Sequence, residues 1–443
     1  MPTPQDPQAS QASQASQLAA VVAAASTPRR AFFRRATAAL GAVATTPLLA
    51  QAQVQSAVPA EATPLAVPDW SRQPGEPVLW HPYGQPSEHE RHVVRRSRGN
   101  APFPGAASSM TPLADLFGII TPTGLVFERH HAGIPQIDPE QHRLVIHGLA
   151  KRPRVFTLDD LVRFPSVSRI HFLECSGNTG TEWRTPTSAN VQLSHGLLSC
   201  CEWTGVPLSV LLDEVGIAPE ARWILAEGAD GAAMSRSIPV HKAFEDALVV
   251  YAQNGERLRP ESGYPLRLFL PGFEGNMSIK WLRRLKIGTE PFQTREETSK
   301  YTDSLPDGTA RQFTFLMEAK SVITRPSPGQ VLRQRGFHEI SGLAWSGLGR
   351  VKRVEVSVDG GRQWREAQLQ EPVLNRALTR FSLGWHWDGS PAVLQSRVID
   401  ETGYVQPTRE QLIAARGLNS LYHYNAIQSW QLSADGSLKN VHA

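Results

Sequence analysis

The pattern of the sequence changes near Leu316, and this change most strongly limits how the chain can fold. Before it, a strand-like run at residues 144–146 is followed by a stretch with helical apolar spacing at residues 207–215. Gly216 stands where a helix C-cap would be. We therefore expect a mixed α/β domain over residues 109–315.

The chain after Leu316 shows strand and turn signals instead. Valines recur through residues 351–358, the pair Asp359-Gly360 is a tight-turn signal, and Trp364 would follow on the next strand. Residues 397–400 begin a second run of the same kind. These strand and turn signals predict an all-β sandwich over residues 316–443, so the expected fold class is α+β with two domains.

The N-terminus has the composition of an export signal. Gln-Ala-Ser repeats precede the adjacent arginines Arg29 and Arg30 and an Ala-rich apolar run at residues 36–50. These features are typical of a twin-arginine signal, and the run is too short and too poor in large side chains for a membrane span. We expect residues 1–52 to direct the protein to the periplasm; a basic, disordered tail is the alternative. Residues 53–108, rich in Pro, Arg and Gly, are expected to form an extended arm.

Composition argues against two classes of function. The net charge is +4, much of it near the N-terminus, and no sustained basic stripe carries interleaved aromatic side chains, so nucleic acid is not an expected partner. The cysteines Cys175, Cys200 and Cys201 are too few for a disulfide framework, and adjacent cysteines rarely bridge each other. The motif C-x-x-C-H does not occur, so this chain attaches no c-type haem itself.

Cys175 ends a strand-like run and precedes the small, turn-forming residues Ser176 and Gly177. A thiolate is a soft ligand for a redox-active metal, and its position in a turn would leave one side of the metal open. Two other interpretations stay open at this point. Cys175 could be a buried structural residue, or it could be a nucleophile that uses His171 as its base.

A series of short motifs runs in order along most of the chain. It comprises residues 127–131, 138–139, 144–149, 174–178, 237–239, 251, 254–255, 263–267, 271–272, 275, 280–282, 342–347, 354–361 and 416–417. In sequence and in order this series resembles the sulfite oxidase family of molybdopterin enzymes. The resemblance implies a sulfite oxidase-type mixed α/β molybdopterin-binding domain, followed by an all-β immunoglobulin-like sandwich that is used for dimerisation.

The resemblance also implies a cofactor site. It makes Cys175 the protein ligand of molybdenum in a molybdenum–molybdopterin cofactor (Moco). Further contacts to the pterin are implied for Phe127, Glu128, Arg129, His130, His131, Asp230, Arg267, Ser278, Ile279 and Lys280. A pterin that carries a phosphate needs Arg, Lys and backbone donors. Outside these motifs, Arg267 and Lys280 would be interpreted as solvated surface charges.

The family places its substrate against a tyrosine and arginines, which motif order assigns to Tyr301, Arg129 and Arg416. Cationic donors suit a sulfur oxyanion, because the transferred oxygen comes from the metal centre rather than from a general base. Two departures from the family pattern matter. Gly180 stands where sulfite-oxidising members carry an arginine, and Ser262 replaces a histidine, which leaves that cofactor contact open.

Part of the arm is similar to the molybdenum subunits of bacterial thiosulfate-oxidising (Sox) systems, at residues 83–87, Glu90 and residues 95–96. This similarity implies oxidation of sulfane sulfur on a carrier protein, with electrons passed to a dihaem c-type cytochrome in a heterotetramer that contains two copies of this chain. A plain sulfite dehydrogenase is one alternative, disfavoured by Gly180. A periplasmic sulfoxide reductase, which would resemble only the first domain, and a non-enzymatic sandwich protein are others.

Export provides a test of the N-terminal assignment. Replacing both Arg29 and Arg30 with lysine should strand the precursor in the cytoplasm, because the twin-arginine route requires the arginine pair. Immunoblots of periplasmic and cytoplasmic fractions measure this. Normal periplasmic recovery of the double variant would indicate another export route.

Overall fold

The structure, a computed structural model, describes residues 71, 72, 74, 77, 81–97 and 105–443. The expected signal at residues 1–52 and much of the expected arm lie outside these residues. The chain divides into the units Met1–Pro82 and Tyr83–Ala443, and the fold described below is that of the second unit. Within the described residues, no helix combines the length and apolar character needed to cross a membrane.

The first part of the fold is mixed α/β, as the sequence predicts. Its strands are β1 (Ser108–Ser109), β2 (Glu128–Arg129), β3 (Leu144–Gly148), β4 (Arg154–Phe156), β5 (Val167–Glu174), β6 (Leu198–Pro207), β7 (Trp223–Gly228), β8 (Ser235–Pro239), β9 (Leu248–Gln253), β10 (Glu256–Arg257), β11 (Arg267–Phe269), β12 (Leu282–Gly288), β13 (Asp303–Ser304) and β14 (Ala310–Arg311). Its helices are α1 (Leu158–Leu161), α2 (Val191–His195), α3 (Leu208–Val215), α4 (Val240–Glu245) and α5 (Arg295–Thr298). Single 3₁₀ turns occupy Glu88–Glu90, Thr123–Leu125, Gly180–Trp183, Pro260–Ser262 and Gly275–Met277.

Most of these strands form two five-stranded sheets. One has the order β10-β9-β6-β5, with β11 also paired to β9, and all its pairs are antiparallel. The other has the order β4-β3-β12-β7-β8, in which β3 and β12 run parallel. The ends of β5 and β11 carry Glu174 and Arg267, so the first sheet brings residues 174–175 and 267 into the same region as the cofactor motifs.

Helix α3 forms where the apolar spacing predicts it. Leu208, Leu211, Leu212 and Val215 are buried, and they join a core with residues of β3, β7 and β12. Gly216 follows at a φ of 64°, a left-handed conformation that strains residues with a Cβ. The predicted C-cap is therefore confirmed.

The second part of the fold is a sandwich of two antiparallel sheets, as predicted. Its elements are β15 (Lys320–Arg325), β16 (Gly336–Trp345), β17 (Val351–Ser357), β18 (Arg365–Glu366), β19 (Gln368–Leu369), β20 (Thr379–Trp387), β21 (Ala392–Asp400), α6 (Arg409–Arg416), β22 (Ser429–Leu432) and β23 (Leu438–Val441). The sheets have the orders β15-β16-β20-β19 and β18-β17-β21-β22-β23.

Two details of the sandwich differ from the sequence prediction. Helix α6 interrupts the β pattern, and a capping box between Thr408 and Gln411 starts it. The turn at Asp359 is wider than a two-residue hairpin, because its carboxylate accepts hydrogen bonds from the backbone amides of Arg362 and Gln363. Trp364 therefore lies just before strand β18 rather than on it.

The core of the sandwich extends into the first part. Phe172 on β5 and Cys200 on β6 belong to the same buried cluster as Trp345, Val354 and Phe381. The backbone amide of Phe172 also donates to the carbonyl oxygen of Arg376. Because buried apolar area is shared, the two parts stabilise each other through one continuous core.

Adjacent residues of a strand face opposite sides of a sheet, and this separates the neighbouring cysteines. Cys200 joins the sandwich core, whereas Cys201 packs with Trp203 and Phe269. Both are buried and, like Cys175, are not in a disulfide bond. Their predicted role in packing agrees with these contacts.

The described part of the arm is held against the first part of the fold by charged contacts. Tyr83 donates a hydrogen bond to Glu256. Arg95 pairs with Glu128 at 3.1 Å and with Glu261 at 3.6 Å. Glu261 lines the cavity described next, so Arg95 fixes the arm beside the predicted cofactor site.

Candidate active site

Cys175 lies in the loop directly after strand β5. Its backbone amide donates to the carbonyl oxygen of Leu197, and its own carbonyl oxygen accepts from the amide of Asn178 at 2.8 Å. The loop then turns at Thr179, whose φ is 65°, into the 3₁₀ turn Gly180–Trp183. The side chain is 9% exposed, and burial raises the pKa of its thiol. A buried thiol has the environment of a metal ligand or a structural cysteine rather than of a free nucleophile.

Glu174 anchors this loop from the preceding position. Its carboxylate accepts hydrogen bonds from Lys320 Nζ at 2.9 Å, from Asn178 Nδ2 at 3.0 Å and from Trp345 Nε1 at 2.6 Å. Lys320 Nζ also donates to Thr179 Oγ1 at 2.9 Å. Glu174 and Lys320 are both fully buried, so each charge depends on the other for its stabilisation. Burial lowers the pKa of Lys320, and the carboxylate of Glu174 opposes this effect.

Cys175 lines two adjoining cavities, and the first collects most of the predicted cofactor residues. Of the residues predicted to bind Moco, all except Glu128 line it: Phe127, Arg129, His130, His131, Cys175, Asp230, Arg267, Ser278, Ile279 and Lys280. Tyr301 lines it as well. Further lining residues were not assigned as cofactor contacts, although the matching motifs include Gly275 and Trp281: Leu173, Met234, Glu261, Gly275, Asn276 and Trp281. Asn276 and Trp281 each lie within two residues of a predicted contact, which is the signal that could have identified them.

The first cavity contains buried cations that have no carboxylate of the described residues in direct contact. Lys280 Nζ donates to the carbonyl oxygens of Arg129 and Glu261, both at 3.1 Å, and lies 2.8 Å from His130 Nδ1. Burial, reinforced by the charge of Arg267, holds the pKa of Lys280 well below its usual range. Burial likewise lowers the pKa of Arg267 to about 10. An anion bound between them would remove this penalty.

Unpaired polar atoms in the same cavity support this fit. Arg267 Nε and Asn276 Oδ1 are buried and form no hydrogen bond within the described residues. Ser278 Oγ accepts a hydrogen bond from the amide of Leu270, which leaves its hydroxyl proton available to donate. Donors, acceptors and two cations around one cavity match a phosphate-bearing pterin with many polar ring atoms.

The second cavity, of about 630 Å³, shares Arg129, His131, Cys175 and Tyr301 with the first. Three of the four predicted catalytic residues therefore lie on the common wall. The second cavity is also lined by residues that the sequence reasoning did not select, Arg295, Lys300 and Tyr422. Lys300 immediately precedes Tyr301 in the sequence, which is the signal that could have identified it.

Tyr301 is held rigidly at the common wall. Its hydroxyl lies 3.0 Å from His131 Nε2, and its ring contacts the guanidinium of Arg236 at 5.3 Å and the ring of Tyr422 at 5.2 Å. Its φ of 52° is a strained conformation for a residue with a side chain, and such strain persists only where surrounding contacts fix it. Burial raises the pKa of Tyr301, so its hydroxyl is protonated and can donate to a substrate oxygen.

The structure does not bring Arg416 into either cavity. Arg416 is buried at the end of helix α6, where it lies 3.1 Å from Glu318 Oε2 and 3.7 Å from Asp303 Oδ2. Its charge is therefore balanced within the protein. Tyr422, on the segment that follows α6, lines the second cavity in its place. The second part of the fold does contribute to the site, but through a residue other than the one expected.

Glu128, Ser262 and Gly180 also have defined places. Glu128 lies behind the first cavity and accepts a hydrogen bond from Ser109 at 2.6 Å. The carbonyl oxygen of Ser262 accepts from Arg267 at 3.0 Å, so this residue orients a cavity cation through its backbone. A Cβ at Gly180 would lie 2.9 Å from the carbonyl oxygen of Leu421, so the backbone leaves no room for the family's arginine there without a shift.

Comparisons with known proteins identify the family to which this fold belongs. Family models for an oxidoreductase molybdopterin binding domain and for a Mo-co oxidoreductase dimerisation domain match residues 131–296 and 311–430. Sulfite oxidase of Gallus gallus is 32% identical over 317 residues, which cover 67% of this chain and 68% of that protein. Mitochondrial sulfite oxidase of Mus musculus is also 32% identical, over 63% of this chain; the chain spans only 54% of that longer relative.

A solved structure gives a closer match. The sulfane dehydrogenase SoxCD from Paracoccus pantotrophus is 48% identical, with a TM-score of 0.84 over 85% of this chain and 97% of that chain. The fold and the two cavities at Cys175 define a molybdopterin oxidoreductase with a dimerisation domain. The chain belongs to the sulfite oxidase family. Its cofactor is molybdenum–molybdopterin, as the motifs predicted.

The ion pair at the cysteine loop generates a stability prediction. Lys320→Met should lower the free energy of unfolding by about 3–5 kcal/mol, because it leaves the buried carboxylate of Glu174 without its counter-charge. The double variant Lys320→Met with Glu174→Gln should recover part of this loss. Urea unfolding measures both.

A control for this prediction is Arg154→Met, which removes the exposed pair with Glu214. Exposed pairs contribute about 0–1 kcal/mol, so its effect should be small. Equal losses from Lys320→Met and Arg154→Met would contradict the role given to the buried pair.

Proposed function

We propose that this protein oxidises an anionic reduced-sulfur substrate outside the cytoplasm and passes the electrons to a c-type cytochrome. The observation that carries the proposal is the position of Cys175. Its thiol lies on the wall between a cavity with buried cations, suited to the cofactor, and an accessible cavity whose ionic side chains are cations. A metal held by Cys175 would thus be accessible both from the cavity suited to the pterin and from the cavity suited to the substrate.

The residues of the first cavity would hold the cofactor. Lys280 and Arg267 would bind its anionic group, Asp230 and Asn276 its ring donors, and the Cys175 thiolate its metal. When bound, the cofactor supplies two-electron oxidation with transfer of oxygen to sulfur. The residues of the chain itself would bind the cofactor, orient it and balance its charge. Two buried cations satisfied by an anion would also stabilise the folded state of the loaded enzyme.

The residues of the second cavity would hold the substrate. Arg129 supplies a cationic donor at the common wall, and the protonated hydroxyl of Tyr301 supplies a second donor. These donors stabilise negative charge on the oxygens of the reacting sulfur group. His131, hydrogen-bonded to Tyr301, keeps that hydroxyl in place.

Sulfane sulfur on a carrier protein is the substrate that we favour over free sulfite. Gly180 contributes no cation where sulfite-oxidising members have one, and the Leu421 carbonyl closes that position to a side chain. The accessible cavity of about 630 Å³ has room for a carrier's terminal arm. A matching structure, SoxCD, is named a sulfane dehydrogenase. Plain sulfite dehydrogenase is the second candidate, which the likeness to sulfite oxidases supports.

For the acceptor, we propose a tightly bound dihaem c-type cytochrome in a heterotetramer built on a homodimer of this chain. The chain has no C-x-x-C-H motif, so it cannot hold such a haem itself. The dimerisation domain at residues 311–430 supports the homodimer. The arginine pair Arg29-Arg30 supports export by the twin-arginine route after cofactor insertion.

Metal and pterin analysis of the purified protein, together with turnover of sulfite and of carrier-bound sulfane, tests the proposed chemistry. Cys175→Ser should lose activity and keep its fold, because a hydroxyl is a much harder ligand than a thiolate. Cys200→Ala and Cys201→Ala are the matched controls and should keep cofactor and activity, since both residues pack in cores away from the cavities. A Cys175→Ser enzyme with wild-type turnover would rule out the ligand assignment.

The acceptor has its own test. With this chain alone and no acceptor, substrate oxidation should stop after one two-electron turnover per molybdenum and resume when the cytochrome is added. Stopped-flow and steady-state assays measure the two phases. If dissolved oxygen alone sustained the rate seen with cytochrome, the protein would instead be an oxidase.

A further inference from the structure

The second cavity has a one-sided charge. Arg129, Arg295 and Lys300 line it together with Cys175 and Tyr301, and within the described part of the chain no carboxylate does. Cations that face no fixed negative charge create a positive potential, which concentrates anions in the cavity. The ion-pair partners of these three cations indicate which of them could bind the substrate outside the common wall.

The three cations differ in how far their charges are balanced. Arg129 lies on the common wall, and its guanidinium donates to the carbonyl oxygen of His130. Arg295 Nε lies 2.8 Å from the carboxylate of Glu296, a buried residue, so Arg295 already has a counter-charge. Lys300 is exposed and forms no ion pair with any described residue. Lys300 is therefore the accessible cation whose charge is left for a bound anion.

The pKa of the His131 imidazole agrees with a positive potential in the second cavity. Its pKa is lowered to about 4, mainly by burial and further by neighbouring positive charges. The cations that contribute are Arg129, Arg295, Lys280 and Lys300. A neutral His131 ring supplies no counter-charge, so it does not balance the charge of Lys300.

Lys300 is also well placed in the chain. It directly precedes Tyr301, whose side chain is held by His131 and Tyr422. The backbone at Lys300 is therefore anchored next to a residue of the common wall. The cysteine loop supplies no cation of its own to this cavity, since Gly177 is its only lining residue besides Cys175. The cations that can pair with an anion in this cavity therefore come from the Tyr301 segment and from Arg129.

We propose that Lys300 is a specificity-determining residue that binds an anionic oxygen or sulfur atom of the substrate. It supplies the positive charge that is missing at Gly180, from another segment of the chain. This inference rests on the proposed function, because it assigns a role at the same site. It predicts recognition of anions with Arg129 at the inner end of the cavity and Lys300 at its outer end.

The experiment compares Lys300→Met and Lys300→Arg holoenzymes with Lys352→Met. Lys352 is an exposed lysine on strand β17 that lines neither cavity, so its loss controls for net charge. For each protein, KM and kcat with sulfite and ferricyanide are measured per bound molybdenum, and the dissociation constant for sulfate is measured by calorimetry. Lys300→Met should raise KM and the sulfate Kd by about ten-fold and leave kcat within about two-fold, as expected for loss of one charge-assisted contact.

Two further results follow from an ionic contact. Lys300→Arg should restore KM and sulfate affinity, and added salt should raise KM less in Lys300→Met than in the wild type. KM and sulfate Kd in Lys300→Met equal to those of Lys352→Met would overturn the proposal. A wild-type protein without molybdenum, or without turnover of any sulfur substrate, would refute the proposed function instead. The sulfate titration would still decide whether Lys300 binds anions.

Discussion

The buried ion pair between Glu174 and Lys320 joins the cysteine loop to the sandwich. Glu174 ends strand β5 and Lys320 begins strand β15, and neither side chain reaches solvent. A charge removed from water must be balanced locally, so the pair ties the position of the loop to the packing of both parts of the fold. Trp345 and Asn178 complete the carboxylate's hydrogen bonds, which leaves Cys175 with one well-defined direction into the cavities.

The cations of the site fall into two groups that burial distinguishes. Lys280 and Arg267 are enclosed, and their lowered pKa values show the penalty of holding charge away from water. Arg129 and Lys300 line the accessible second cavity, where solvent can screen their charges. The common wall therefore separates cations with a high desolvation cost from cations with a lower one.

The sandwich, which matches a dimerisation-domain model, also contributes to the second cavity. The segment after helix α6 places Tyr422 in the second cavity and brings the carbonyl oxygen of Leu421 against Gly180. The same helix ends at Arg416, whose charge Asp303 and Glu318 neutralise. The second part thus shapes the second cavity by sterics and an aromatic ring rather than by an added cation.

The sequence alone indicated the fold class and the helix that Gly216 ends, because these depend on local periodicity. Its contiguous motifs, through their resemblance to the sulfite oxidase family, indicated the cofactor and most of the residues that line the first cavity. Tertiary structure decided the rest. Arg416 is paired with Asp303 and Glu318, which are far from it in the chain, whereas Lys300 forms no ion pair within the described residues. Ion pairing and desolvation are properties of the folded neighbourhood, so sequence spacing identifies a cation but not the group that balances it.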